Sequence, residues 1–320
     1  MNSTYFTTIQ TSILNSSTIT IESWFISLDI INIIFLILVI ILGVLFLFII
    51  IIDKTCHTVP VMLVANSCLA TLLFTSASLG MTIWSLKNDL EQISYQDSLC
   101  IFRGYFSHVT IAAQLHSYLL QAIYRYITVI YPTRLLWQSK QFQGFLIGLT
   151  WVFAFILAIP NVVTGEIQYN ADNQICETPF HLSFVIIYNI IYVYFIPMNG
   201  IMSIYFKLIL YVKEINKRVT PVNTVSRAER ELKMVHRIVV LVSILLTLGI
   251  PYTIFIFIGF FTQPPKYHFR IAFTFVYISL VFIMITLFQF TDPVKTYITK
   301  KLKRQSNIIA TTTVHTIEIR

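Results

Sequence analysis

The stretch Ile30–Ile52, IINIIFLILVIILGVLFLFIIII, holds 23 residues with one polar member, Asn32, and no charge. A helix needs about 20 mostly apolar residues to cross the hydrocarbon core of a bilayer. This length and composition therefore predict a membrane-spanning helix rather than a core helix of a soluble domain. It is the least ambiguous segment of this kind in the chain.

The composition of the whole chain agrees with a membrane protein. Of 320 residues, 56% are hydrophobic and only 11% are charged, whereas soluble domains carry about 25% charged residues. This excludes a soluble enzyme, a disordered protein and a disulfide-dense secreted module. The net charge of +8 does not indicate nucleic-acid binding, because the basic residues flank apolar segments. Four cysteines are too few for a disulfide scaffold, and their spacing to histidine does not resemble a zinc site.

Six further apolar windows follow the first. They are Val59–Trp84, Ile101–Ile130, Phe145–Val163, Leu182–Val212, Val235–Phe261 and Ile271–Phe290. The sequence thus predicts an all-α membrane protein, a bundle of seven transmembrane helices followed by a short cytoplasmic helix. We expect an extracellular, glycosylated N-terminus at residues 1–25, the seven-helix domain at 26–304 and a cytoplasmic tail at 305–320.

Lysine and arginine orient the predicted bundle. With the N-terminus outside, 18 of these residues lie at the inner side and 4 at the outer side. Cytoplasmic loops are enriched in Lys and Arg, so we expect a multi-pass plasma-membrane protein with a cytoplasmic C-terminus. The sequons at Asn2 and Asn15 lie on the predicted outer side and are candidate glycosylation sites. Residues 1–24 lack the pattern of a cleavable signal peptide, so the first span is expected to direct insertion.

Several residues with distinctive side chains occur along these windows and the loops between them. They are Cys100, Tyr124, Arg125, Tyr126, Trp151, Cys176, Pro197, Tyr205, Glu231, Pro251, Asp292 and Pro293. None of them is specific alone, but their joint order and spacing resemble the rhodopsin-like family of G-protein-coupled receptors. The resemblance covers nearly the whole chain, from residue 26 to 304. It implies a receptor that binds an extracellular ligand and activates a heterotrimeric G protein.

The resemblance also implies individual roles. Cys100 and Cys176 match the family disulfide that ties the third helix to the second outer loop. Arg125 matches the arginine that contacts the G protein, although an interfacial side chain is the simpler interpretation of such a residue alone. Glu231 matches the acidic partner of that arginine on the sixth helix. An Arg125–Glu231 ion pair is expected to hold the closed state, contributing on the order of 1 kcal/mol or less because water reaches it.

Three prolines, Pro197, Pro251 and Pro293, each remove a backbone hydrogen bond and invite a kink. Prolines are also frequent in membrane helices in general. At the family positions they resemble hinges, and Pro251 would let the inner half of the sixth helix swing. The residues assigned to the switch and to G-protein coupling are Tyr124, Arg125, Tyr126, Tyr205, Glu231, Asp292 and Pro293.

The chain departs from the family pattern in ways that concern this switch. Tyr124 stands where the family has an Asp before the arginine, and Thr71 stands where the second helix has a buried Asp. The family's sodium pocket depends on that second-helix carboxylate, so the resemblance does not extend to sodium regulation. Our hypothesis is that Asp292 is the remaining hub of the inner polar network; a helix-capping aspartate is an equally good interpretation. The side chains expected near it are Thr71, Gln114 and Gln289.

The sequence disfavours two ligand classes. Ser107 stands eighteen residues before Arg125, where an amine receptor needs a carboxylate. An opsin needs a lysine in the seventh helix for the retinal Schiff base, and none occurs between Ile271 and Thr291. The outer segments carry eight acidic and four basic residues, which would attract a cationic ligand such as a basic neuropeptide. A solvated acidic rim without a partner fits this charge equally well.

Candidate pocket residues follow from helix depth alone. They are Ser107, His108, Ile111, Asn189, Tyr252, Phe255 and Phe282. A histidine satisfied by core contacts is the more usual interpretation of His108. The expected partners are an extracellular ligand, a heterotrimeric G protein and the lipid bilayer, with no nucleic acid, cofactor or metal.

The main alternative function is a seven-helix transporter or channel. Transporters tend to show repeated halves and midplane ionisable groups. This chain shows no visible repeat and almost no midplane charge. An unrelated seven-helix chemosensory receptor is disfavoured by the residue spacing. An enzyme is the least favoured class, because no nucleophile–base pair or metal cluster is evident.

Overall fold

The computed structural model describes residues 24–217 and 222–301, with all but a few of their side chains. The candidate glycosylation sites Asn2 and Asn15 and the tail at 305–320 lie outside the described residues. Glu231 lies in a described helix, but its side chain is not among those described. We call the end of the bundle that carries Cys100 the outer end, and the end that carries Arg125 the inner end.

Seven long helices and one short one account for most of the described chain, as the sequence predicts. They are α1 (Trp24–Ile52), α2 (Val59–Glu91), α3 (Cys100–Ile130), α4 (Lys140–Val163), α5 (Phe184–Asn189, Ile190–Phe195 and Ile196–Lys217), α6 (Val222–Phe261), α7 (His268–Phe290) and α8 (residues 292–301). Short helical turns, Lys54–Cys56 and Leu135–Gln138, connect α1 to α2 and α3 to α4.

Within the described ranges, six of the long helices are apolar enough to cross a membrane by length and composition, and α3 is the exception. The reason is its position, because α3 packs against α2, α4, α5 and α6. Its polar side chains therefore face protein rather than lipid: Gln114 is buried and donates to the Tyr118 hydroxyl at 3.1 Å. By contrast, α1 is lined with exposed apolar side chains such as Ile34 and Phe48, each 58% exposed.

A polar junction in the middle of the bundle fixes α2, α3 and α4 together. The indole N–H of Trp151 donates to Asn66 Oδ1 at 2.9 Å. The amide nitrogen of Asn66 in turn donates to the Ser117 hydroxyl at 2.6 Å. Buried polar groups are stable in apolar surroundings only when they are paired, so these three residue types are complementary at this crossing.

The prolines occupy three different settings. Pro197 has no N–H for the carbonyl four residues earlier, and α5 widens to a π-turn over Ile190–Phe195 just before it. Such widened turns are frequent at functional sites. The helix α6 continues on both sides of Pro251. Pro293 lies in the first turn of α8, where no helical hydrogen bond is lost; the sequence-based expectation of a kink there is therefore corrected, and Thr291 marks the break.

A hairpin between α4 and α5 covers the outer end. Its strands, β1 (Gln168–Asn170) and β2 (Ile175–Glu177), pair antiparallel, with Tyr169 opposite Cys176. Cys176 is bonded to Cys100 at the start of α3, so the expected disulfide is present. Gly104 on α3 permits this close approach, because a Cβ there would lie 2.6 Å from the Cys176 carbonyl oxygen.

Candidate functional sites at the two ends of the bundle

The loop after β2 closes the outer end with aromatic packing. The Phe180 ring lies 5.1 Å from the Tyr252 ring on α6 and 4.5 Å from the Phe269 ring on α7. Its backbone approaches α6 so closely that a Cβ at Gly259 would collide with the Phe180 carbonyl oxygen. Phe255, another residue predicted for the pocket, contacts His268 in the same aromatic cluster.

Beneath this loop, a carboxylate and an imidazole face each other. Glu177 is 4% exposed, and its Oε1 lies 3.2 Å from His108 Nε2 on α3. The Thr178 backbone N–H also donates to Glu177, and the other ring nitrogen of His108 lies 2.9 Å from the Gly104 carbonyl. Burial raises the pKa of Glu177 above its ordinary value, and the nearby His108 lowers it in part. His108 therefore has a polar partner that the sequence did not reveal.

Of the other predicted pocket residues, two lie inside the bundle and two have side chains directed elsewhere. Ser107 is buried with no hydrogen-bond partner for its hydroxyl among the described residues, and Ile111 packs against the main core. Asn189 and Phe282 are corrections. The Asn189 amide donates to Asn161 Oδ1 on α4 at 2.6 Å, so it joins α5 to α4. Phe282 is 51% exposed on the outward face of α7. Position along the helix did not specify the direction of either side chain.

A buried charged cluster, which we call the outer triad, joins three helix ends. It consists of Asp29 on α1, Asp89 on α2 and Arg270 on α7, whose side chains are at most 4% exposed. Arg270 Nη1 lies 3.2 Å from Asp29 Oδ2 and also contacts Asp89 Oδ2, while Nη2 lies 3.1 Å from Asp89 Oδ1. The hairpin loop takes part through Gln174, which donates to Asp89 at 2.7 Å.

From the sequence alone, the three triad residues are recognisable only as charges at the outer end. A signal for the cluster was present, since ionisable residues inside a membrane span are expensive unless they are paired. Asp29 lies within the first candidate span, so it requires a partner. The identity of that partner was not accessible, because Arg270 lies 241 positions away.

At the inner end, a cavity of about 550 Å³ opens between α2, α3, α6, the inner end of α7 and the start of α8. It is lined by Tyr124, Arg125, Thr128, Arg237, Asp292 and Pro293, among others. The structure thus brings together four of the residues predicted for the switch. The Arg125 guanidinium lies over the Tyr124 ring, 5.6 Å from its centroid. Outside the cavity lining, Tyr205 on α5 meets His236 on α6 at 3.3 Å.

Asp292 does not have the surroundings that the hub hypothesis assumed. Its carboxylate is 70% exposed and meets Arg237 on α6, at 3.3 and 3.4 Å. Thr71 instead donates to the Ser67 carbonyl within α2, and Gln114 pairs with Tyr118 within α3. The hub prediction is therefore corrected: Asp292 belongs to the inner surface. The predicted Arg125–Glu231 pair stays a prediction, since the Glu231 side chain is not described.

Comparisons with known proteins agree with this architecture. Residues 43–307 match the model of the 7 transmembrane receptor (rhodopsin family). A rhodopsin from Scyliorhinus canicula is 28% identical over 178 residues, covering 52% of this chain and 49% of that protein. The chain thus aligns with about half the length of this curated relative. The crystal structure of squid rhodopsin superposes with a TM-score of 0.67 at 16% identity, covering 82% of this chain and 76% of the other.

These matches define the class as a seven-helix membrane receptor. More specifically, the chain belongs to the rhodopsin-like, class A, family of G-protein-coupled receptors, because the family match covers most of its length. The squid rhodopsin comparison, at its low identity, speaks for the fold alone. The predicted family and helical bundle are thereby confirmed.

Proposed function

We propose that the protein is a plasma-membrane receptor that binds a cationic extracellular ligand at its outer end and activates a heterotrimeric G protein at its inner end. The single observation that carries the proposal is the inner cavity, where Arg125 lies at the mouth of a space of about 550 Å³ between α3 and α6. The cavity lies between α3 and α6 on the inner side of Pro251, so outward movement of the inner half of α6 would widen it for a segment of a partner protein.

The excess of acidic over basic residues in the outer segments supports a cationic ligand. Each of the four outer cations contacts an acid: Lys87 contacts Glu91, Arg103 contacts Asp97, Lys266 contacts Asp172, and Arg270 contacts both triad acids. Glu177 and Glu166 face histidines instead, His108 at 3.2 Å and His181 at 3.6 Å. A ligand amine or guanidinium that takes the place of the imidazole would bring a full positive charge to the carboxylate. We therefore favour a basic peptide that reaches Glu177.

Retinal chemistry is disfavoured for this chain despite its similarity to rhodopsins. A Schiff base requires a lysine amine, and the helix His268–Phe290 contains none. The arrangement of Glu177 and His108 under a packed loop supports a ligand held by polar and ionic contacts.

Nucleotide exchange on a panel of purified Gα classes tests the proposal directly. We expect basic peptides to stimulate exchange by the wild type and Arg125→Ala to abolish this response at matched receptor amounts. Lys140→Gln, which removes an exposed cation at the start of α4, is the matched control and should respond like the wild type. Glu177→Gln should lower peptide potency by about tenfold, the size of a lost charged contact.

Two outcomes would contradict the proposal. If the wild type reaches the surface and no Gα class or peptide produces exchange, while cells expressing it show solute or ion flux, the transporter or channel alternative is favoured. If Arg125→Ala responds normally, the inner cavity is not the coupling site.

The proposed orientation has its own test. An epitope tag before Asn2 should bind antibody on intact cells, and a tag after Arg320 only after permeabilisation. Replacing both Asn2 and Asn15 by Gln should remove any mass shift caused by glycosidase. The support for this orientation is the distribution of Lys and Arg, 18 inner against 4 outer.

A further inference from the structure

One arginine at the inner end makes several contacts to the junction of α7 and α8. The guanidinium of Arg237 donates to the Phe290 carbonyl and lies 3.3 and 3.4 Å from the two carboxylate oxygens of Asp292. It also lies over the Phe290 ring, 5.4 Å from the centroid. The planar fork of arginine suits such paired contacts, whereas lysine cannot reproduce them.

These contacts lie at the C-terminal end of α7. Phe290 is the last residue of α7, and the final carbonyls of a helix lack intrahelical partners. A cation near a helix C-terminus is also stabilised by the helix dipole. Arg237, on α6, therefore supplies a hydrogen-bond donor to the last carbonyl of α7.

We propose that Arg237, Phe290 and Asp292 form a latch that holds the inner half of α6 against the α7–α8 junction in the resting receptor. This inference rests on the proposed function and deepens it, because it names what restrains the cavity from opening further. Outward movement of α6 around Pro251 would carry Arg237 away from all of these contacts together. The latch is distinct from the predicted pair of Arg125 with Glu231, since it uses neither residue.

The latch is suited to a reversible transition. Arg237 is 19% exposed and Asp292 is 70% exposed, so water can replace each contact when it breaks. Exposed ion pairs contribute little, and we therefore expect its loss to raise the open population by about two- to fivefold rather than to abolish the closed state.

A double-mutant cycle on the full-length receptor tests the latch. The variants are Asp292→Asn, Arg237→Gln and their combination, with Lys140→Gln as the control. Asn keeps the helix-capping ability of the aspartate, so Asp292→Asn separates the latch from a capping role. The first readout is the spectroscopic distance between labels on the inner ends of α3 and α6, in nanodiscs without G protein. The second readout is basal nucleotide exchange.

We expect Arg237→Gln to raise the open fraction by about two- to fivefold, and Asp292→Asn to raise it by less, because Arg237 then keeps its contacts to Phe290. The double variant should match Arg237→Gln, because the Arg237–Asp292 interaction is already absent there. The latch would be overturned if the increases in open fraction multiply in the double variant. It would also be overturned if the single variants keep the wild-type distance distribution. A shift in the distance without any nucleotide exchange would leave the latch in place and contradict G-protein coupling. Exchange by the wild type that no variant alters would overturn the latch and leave the proposed function intact.

Discussion

Both ends of this receptor contain contacts between arginine and aspartate, but these contacts serve opposite purposes. At the outer end, Arg270 is enclosed with Asp29 and Asp89 and joins three helices to the hairpin loop. At the inner end, Arg237 meets Asp292 at the edge of an open cavity. A buried ion pair cannot be broken without stranding a charge, whereas an exposed pair is exchanged for water at small cost. The outer end is thus fastened, and the inner end is free to rearrange.

The largest difference in stability between the two ends is expected when the arginine at each end is replaced by alanine. Arg270→Ala leaves two carboxylates buried without their cation, so we expect a loss of about 3–5 kcal/mol and a large fall in surface expression. Arg237→Ala should cost about 1 kcal/mol or less. Thermal unfolding in detergent and surface labelling measure both. Equal losses at the two ends would show that burial does not separate them.

The disulfide gives a second test of the fastened outer end. Cys100 and Cys176 are separated by 76 residues, and a bridge closing such a loop contributes about 2–4 kcal/mol. We expect Cys100→Ser, Cys176→Ser and the double variant to lose similar stability, because each removes the same bond. Reducing agent should lower the melting temperature of the wild type and leave that of the double variant unchanged. A wild type indifferent to reduction would contradict this.

The sequence predicted the positions of the helices better than the directions and partners of their side chains. The apolar windows Ile30–Ile52 and Ile101–Ile130 predicted α1 and α3, although α3 is the one long described helix that is not apolar enough to count as a membrane span by composition. Local pattern could not orient Phe282, because one residue along a helix turns a side chain by about 100°. The adjacent Ile283 and Met284 are the ones that are buried.

Partnerships between distant residues were the least accessible from sequence. Asp292 was singled out from its position at the end of the seventh helix, but its partner Arg237 lies 55 positions away and on another helix. The outer triad joins Asp89 to Arg270 over 181 positions. Such pairs depend on the rotation and depth of whole helices, which a single sequence does not specify.

The middle of the bundle should fall between the two ends in sensitivity. Trp151→Phe keeps the aromatic packing but removes the N–H that satisfies Asn66 Oδ1. Leaving a buried acceptor unpaired costs about 1–3 kcal/mol. Asn66→Leu together with Ser117→Ala in the Trp151→Phe background removes that acceptor and the other hydrogen-bond partner of Asn66, and should recover part of the loss. Melting temperatures of the two variants decide this, and an additive loss would refute the hydrogen-bond explanation.

The smallest expected effect is a pH dependence that arises at the outer end. Glu177 has its pKa raised above its ordinary value, chiefly by burial, with His108 lowering it in part. The folded receptor therefore binds a proton more readily than the unfolded chain does. The resulting stability is fully present below the ordinary pKa of 4.5 and is lost as the pH rises through the raised folded pKa.

We therefore expect the melting temperature of the wild type to rise when the pH is lowered from 7 toward 5, relative to Glu177→Gln, which cannot titrate at this position. Other acids contribute to the slope of each protein, so the difference between the two curves is the quantity to measure. Glu166→Gln removes a less buried carboxylate from the same outer loop region and should keep the wild-type slope. Parallel curves for the wild type and Glu177→Gln would mean that water or movement of the loop relieves the burial of Glu177. The outer end would then be less firmly closed than its disulfide and triad indicate.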